Sequence, residues 1–269
     1  MPKIICIANQ KGGVGKTTTA INLSSCIALT GKKVLLIDLD PQSNATTGLG
    51  IYLNDSQMGI YDLIVGDAEI DQVTYSTAIN TLFVIPSTVD LAGAEVELVN
   101  QENRESKLKT ALSPLDSRYE FVVIDCPPSL GLLTLNALTA CNSVLIPTQC
   151  EYYSMQGLGR FIQTIKMLKS SLNSELKIEG ILLTMYDGRT SLANQVREQI
   201  RKYFKKSLLG TVIPRNIRLS EAPSHGKPIV LYDNNSKGAD SYIELAREII
   251  ARTKKNAETS TLEASETTP

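Results

Sequence analysis

Short apolar runs alternate with amphipathic stretches along the whole 269-residue chain. Runs near 3–8, 33–37, 81–85, 120–125, 143–147, 178–184 and 208–213 are rich in Val, Ile and Leu. Polar, Gly or Pro residues bound them, so they read as buried strands. Between them, apolar residues recur at three- and four-residue spacing near 16–30, 90–99, 105–113, 131–140, 154–172, 191–205 and 239–253. That period predicts helices. Alternation of this kind implies an α/β fold, a mostly parallel sheet flanked by helices on both faces. In such sheets ligands bind at the carboxyl ends of the strands. The loops 9–16, 38–47 and 125–130 all follow strands and are expected to converge at one edge. No internal repeat is seen. Residues 1–253 read as one domain. Residues 254–269 are acidic and rich in Thr and Ser, with Leu262 as the one large apolar residue, and read as a disordered tail.

The first predicted turn carries chemistry. Lys11-Gly12-Gly13-Val14-Gly15-Lys16-Thr17-Thr18 lies between the strand Ile4-Ile5-Cys6-Ile7-Ala8 and an apolar-periodic run through Ile21, Leu23 and Ile27. Glycines let the backbone curl so that successive N–H groups face phosphate oxygens. The following helix adds its free N–H groups and the positive end of its dipole. Lys16 is placed to reach the β- and γ-phosphates, and the Thr17 hydroxyl to ligate Mg²⁺. The usual phosphate loop has glycine where this chain has Gln10, and here an extra lysine, Lys11, precedes the glycines. A second cation on the far side of the loop is most useful when supplied in trans, as an arginine finger is.

Two further strand ends carry carboxylates. Asp38-Leu39-Asp40-Pro41-Gln42 offers one acid to orient metal-bound water and one to position an attacking water. Val123-Ile124-Asp125-Cys126-Pro127-Pro128 ends a strand with an acid suited to Mg²⁺, followed by a proline-stiffened loop.

Together these three motifs resemble the ParA/Soj branch of the deviant Walker P-loop ATPases, a superfamily that also holds MinD, the nitrogenase iron protein and Mrp-type carriers. The resemblance runs from residue 2 to about 253. It includes Val212-Ile213-Pro214-Arg215-Asn216-Ile217-Arg218-Leu219-Ser220-Glu221-Ala222-Pro223-Ser224-His225-Gly226-Lys227-Pro228, which is typical of that branch. It implies hydrolysis of ATP with Mg²⁺, weak alone and stimulated by a ParB-type centromere-binding partner. It also implies an ATP-dependent sandwich homodimer that binds double-stranded DNA without sequence preference, in chromosome or plasmid partitioning. The expected location is the cytoplasm, on the nucleoid and not on a membrane. Carried over by residue, Lys11 reaches the partner's nucleotide and Gly12 permits close approach of the protomers. Residues 11–18 cradle the phosphates, Asp40 positions water, and Asp125, Thr17 and Asp38 belong to the metal site. Met185, Pro214 and Asn216 lie near the adenine, and Arg189, Arg218 and Lys227 face DNA.

Charge and cysteine usage sharpen this picture. Residues 1–150 hold 9 Lys/Arg against 15 Asp/Glu, whereas residues 151–255 hold 18 against 10. Within 185–230 nine bases face three acids, a candidate polyanion surface without a base-reading motif. The five cysteines are widely spaced without a C-x-x-C, and His225 is the one histidine, which argues against a zinc or iron–sulfur site within the chain. Cys126 is expected to pack under its loop, and a reduced compartment is the simplest one. No apolar run approaches the ~18 residues of a membrane span. The first strand starts by residue 3, so no signal peptide or N-terminal DNA-binding domain is expected. A MinD-like membrane-cycling ATPase is the rival reading, but those chains end in a basic amphipathic helix, and this one ends in an acidic tail. A cargo-positioning ATPase for another assembly is a further alternative.

Overall fold

A computed structural model describes residues 2–115 and 117–266, with side chains through Lys255. Eight strands form one sheet: β1 (Lys3–Ile7), β2 (Val34–Asp38), β3 (Tyr75–Ser76), β4 (Leu82–Ile85), β5 (Phe121–Asp125), β6 (Ser143–Gln149), β7 (Lys177–Tyr186) and β8 (Leu208–Pro214). Their spatial order is β3-β4-β2-β5-β1-β6-β7-β8. Every pairing is parallel except β3 with β4. All seven predicted strands are present. The missed one, β3, is a two-residue edge strand, too short to show a period.

The helices are α1 (Lys16–Ala28), α2 (Asn44–Gly48), α3 (Ile60–Val65), α4 (Leu91–Glu97), α5 (Lys107–Ala111), α6 (Leu132–Ala140), α7 (Ser154–Ser171), α8 (Ser191–Phe204), α9 (Ile217–Glu221), α10 (Ile229–Tyr232) and α11 (Lys237–Glu266). Strand alternation splits the interior into two cores. Cys6, Leu35, Ile37, Val122, Ile124, Val144 and Ile146 face α3 to α8. Their neighbours Ile5, Ile7, Leu36, Val123 and Leu145 face α1 and α11, where Ile21, Leu23, Tyr242, Leu245 and Ile249 close the other side. Central strands covered on both faces explain the unbroken apolar runs of the sequence.

The tail differs from expectation. α11 continues to Glu266, through most of the segment whose composition predicted disorder. No Pro or Gly stands between Ala239 and Thr268, and Ala, Lys and Glu favour the helix, so no local signal ends it. Side chains from 256 onward and residues 267–269 lie outside the described residues. Among the described residues, no helix is long and apolar enough to cross a membrane.

Parallel topology brings the carboxyl ends of β1, β2 and β5 together. Asp38 and Asp125 occupy the same register position on adjacent strands, and Ile7 lies opposite Asp125 on the other side. The glycine loop leaves β1 immediately beyond that point.

Candidate functional site

The loop from Asn9 to Gly15 curls because two of its residues take left-handed backbone angles, Gly13 at φ +71° and Gly15 at φ +85°. Side chains rarely adopt that region. Gly15 is the N-cap of α1 and no side chain caps the helix start. The first N–H groups of α1 therefore remain available to an anion. A cavity of about 310 Å³ opens here, lined by Gly13, Lys16, Thr17, Asp40, Asn44 and Pro128 among others. A second of about 280 Å³ adjoins it and shares Gly15, Thr18 and Met185. The second is lined by Pro214 and Asn216, with Ile213, Leu219 and Tyr242 supplying apolar walls.

Lys16 is 7% exposed and its Nζ donates to the Lys11 carbonyl at 3.3 Å. Burial lowers its pKa, opposed by the charges of Asp125 and Asp40. Asp125 is fully buried, and neither carboxylate oxygen has a hydrogen-bond partner in the protein. Burial, and then the neighbouring Asp38 charge, push its carboxyl well above the usual range. The Thr17 hydroxyl and Lys16 oppose that shift, although Thr17 stops short of a well-formed hydrogen bond. A buried carboxylate without a partner, beside a threonine hydroxyl, has the oxygen chemistry that a hard divalent cation takes, although among the described residues no three acidic, His or Cys side chains group as a metal site.

Asp38 is different. Its Oδ2 accepts from the Thr46 N–H at 2.8 Å and the Thr46 hydroxyl at 2.7 Å, and its Oδ1 from the Asp40 N–H at 3.2 Å. Burial raises its pKa to about 6 against those bonds. Both oxygens are thus engaged in holding the 40–46 loop, unlike those of Asp125. Thr46 in turn accepts from the Ser87 N–H at 3.0 Å, tying the ends of β2 and β4 together. Asp40 keeps one oxygen for the Gln42 N–H at 3.0 Å and faces the first cavity with its carboxylate.

Lys11 points elsewhere. It does not line either cavity, and its ammonium pairs with Glu151 at the end of β6. Gly12 is exposed, and a Cβ there would meet only Pro128 Cβ at 3.9 Å, an ordinary contact. Among the described residues, nothing crowds a Cβ at position 12.

Of the residues expected to face DNA, Arg189 and Lys227 are exposed, and the Arg218 side chain is half-exposed. Arg189 forms a two-pronged bond to Asp187 at 2.8 and 2.7 Å, which pulls the Asp187 pKa down to about 2. Arg218 pairs with Glu221 at 2.8 Å and Asp233 at 3.3 Å. The nine bases of 185–230 do not form one patch. α8 runs back along the sheet, so Lys205 and Lys206 at its end lie far from Arg189 at its start.

Several residues of the site carry no recognisable motif. Gln149 donates from Nε2 to the Gly13 carbonyl at 2.9 Å and to Met185 Sδ at 2.9 Å. The Thr184 hydroxyl donates to the Val14 carbonyl at 2.8 Å. Their one sequence signal was a polar residue closing a buried apolar strand. Cys126 is buried in the core beside Cys6 and Cys141, as expected of a packing residue. A larger hollow of about 740 Å³ between α3 and α5, lined by Ala68, Lys107 and Arg118 among others, contains none of the site residues.

A family model described as an AAA domain matches residues 2–178. The sporulation initiation inhibitor protein Soj of Bacillus subtilis is 56% identical over 251 residues, covering 93% of this chain and 99% of that one. The chromosome partitioning protein ParA of Myxococcus xanthus is 56% identical over 250 residues, covering 93% and 88%. The solved cobyrinic acid a,c-diamide synthase of Mycobacterium smegmatis, with bound ADP and magnesium, superposes with a TM-score of 0.84 at 36% identity, covering 95% of this chain and 97% of that one. With the glycine loop and both carboxylate strand ends sharing one site, and identity of this level over nearly the whole chain, the protein belongs to the Soj/ParA family of chromosome-partitioning ATPases.

Proposed function

We propose that this chain is an ATP-driven switch that dimerises on ATP, binds DNA without sequence preference, and is reset when a ParB-type partner stimulates hydrolysis. The observation that carries the reading is the division of labour between two lysines. Lys16 is buried at the cavity wall and reaches toward it, whereas Lys11 stands outside, on a surface where Gly12 leaves space for another backbone. A cation that cannot serve its own phosphates is suited to a neighbour's.

In this reading the loop N–H groups and Lys16 bind the phosphates. The apolar cavity beside Pro214, Asn216 and Met185 takes the adenine. Mg²⁺ would be held by the Thr17 hydroxyl and by Asp125, directly or through water, where it neutralises phosphate charge. Asp38, already bonded to Thr46 and to the Asp40 N–H, keeps the loop of Asp40 in place, and Asp40 orients the attacking water. Lys11 leaves Glu151 and enters the partner's site. Arg189, Arg218 and Lys227 supply phosphate contacts to DNA, which need no base readout. Two chains presenting these groups to one duplex gain by avidity, so DNA binding follows the nucleotide state.

The test is binding of the purified protein to unrelated DNA duplexes with ATP, ADP or no nucleotide, together with its oligomeric state. Tight, salt-sensitive, sequence-indifferent binding with ATP alone supports the reading. Affinity that ignores nucleotide overturns it.

A further inference from the structure

Gln149 and Thr184, at the carboxyl ends of β6 and β7, belong to none of the motifs that mark the site, and Thr184 also lines the second cavity. From the peptide planes they hold, we infer that they are positioning residues for nucleotide binding: they fix two successive loop amides in the orientation that phosphates require. This rests on the nucleotide reading above and adds to it the device that keeps the loop set before ligand arrives.

A trans peptide holds its C=O and the following N–H antiparallel, so fixing one fixes the other. Gln149 Nε2 holds the Gly13 carbonyl at 2.9 Å, and this orients the Val14 N–H the opposite way. Thr184 Oγ1 holds the Val14 carbonyl at 2.8 Å, and this orients the Gly15 N–H the opposite way. Sheet order supplies the direction. Gln149 ends β6 and Thr184 is near the end of β7, both on one side of β1. Of the residues lining the first cavity, Asp40, Gln42, Asn44 and Pro128 follow β2 and β5 on the other side, whereas Met185 lies at the end of β7. Carbonyls drawn toward β6 and β7 therefore leave the N–H groups facing the first cavity, on the side walled by Asp40 and Pro128.

Two glycines make this device necessary. Gly13 and Gly15 flank Val14, both at positive φ, and glycine samples other regions almost as readily. Without an external hold, either peptide can turn over and present a carbonyl to the anion. Gln149 also restrains the second cavity. Its other bond, to Met185 Sδ at 2.9 Å, holds a non-glycine residue at φ +48°, an uncommon conformation for methionine. One amide group thus spans the phosphate and adenine ends of the site.

The experiment is titration calorimetry of the full chain with Mg-ADP, paired with melting temperatures without nucleotide. Thr184→Val keeps the shape and removes the donor, Thr184→Ser restores it, and Gln149→Glu replaces a donor by an acceptor beside a carbonyl. We expect Thr184→Val and Gln149→Glu to weaken ADP about tenfold or more, and Thr184→Ser to stay within about twofold of the unaltered chain. Melting without nucleotide should stay close to that of the unaltered chain, which separates positioning from folding. Should Thr184→Val fold poorly, the half-exposed Gln149 still decides the matter. The inference is overturned if both donor-loss variants bind ADP like the unaltered chain. It is also overturned if Thr184→Ser loses as much as Thr184→Val, because the methyl contact would then be what matters. An unaltered chain that binds no ADP sinks the nucleotide reading instead.

Discussion

Lys11 and Lys16 lie five residues apart on one loop and end in opposite surroundings, with Lys16 bonded to the carbonyl of Lys11 itself. The inner ammonium is partly desolvated and lies within the field of Asp125 and Asp40. The outer one is half-exposed and paired with Glu151. Removing either should therefore produce a different defect.

Lys16→Ala is expected to abolish detectable ATP binding, a loss of about a hundredfold or more, because the phosphates lose their buried cation. Asp40→Ala should bind ATP and dimerise normally yet lose about a hundredfold or more of the hydrolysis rate. Equilibrium binding and phosphate release, measured side by side, separate the two. An Asp40 variant unable to hold ATP would show that its role is structural.

Lys11→Ala should still bind ATP but form weak dimers and lose nearly all partner-stimulated hydrolysis, about a thousandfold by analogy with fingers supplied in trans. Gly12→Val should bind ATP and remain monomeric, since a Cβ at this position makes only an ordinary contact within its own chain. Sedimentation with ATP is the measurement. A normal dimer from the Gly12 variant refutes close approach at that position.

Charge reversal at Arg189 or Arg218 should weaken binding to unrelated duplexes equally and flatten the dependence on salt. Asp187→Asn should do the opposite, because that carboxylate now neutralises Arg189 through two bonds. Fluorescence anisotropy across a salt series checks both. Unchanged affinity in the doubly reversed protein would move the DNA surface elsewhere.

Gly226→Ala should destabilise the fold by about 1–3 kcal/mol. The added Cβ would stand 2.7 Å from Gly50 Cα, and the residue sits at φ +60°. At roughly 2–4 °C per kcal/mol, the loss is readable in a calorimetric melt. A melt identical to that of the unaltered chain would mean that the segment can withdraw from α2 without cost.

Most of the architecture was readable because central parallel strands are apolar throughout and the long helices show a clear period. The short helices α2, α3, α9 and α10 were not, since four to six residues hold too little periodicity. At the site, Lys16, Thr17, Asp40 and Asp125 were legible because their spacing to strand ends is local. Thr46, Gln149, Thr184 and Glu151 were not. Their partners lie 8, 136, 170 and 140 residues away, and only the strand order brings the three distant pairs into contact. The paired acids beside Arg189 and Arg218 escaped a reading that counted charge without geometry. The end of α11 escaped one that weighed burial and not helix propensity.

The candidate site lies at the carboxyl ends of the strands, which leaves the opposite pole of the molecule as a handle. The turns at 29–33, 173–176 and 205–207 gather there, and the hollow between Lys3 and Lys254 brings both flanks of the chain to the same place. A dye or tether on one of those turns would sit a full strand length from the cavity. If two copies meet loop to loop, these handles face outward at maximal separation, so assembly would register as a long distance between two labels and not as their contact.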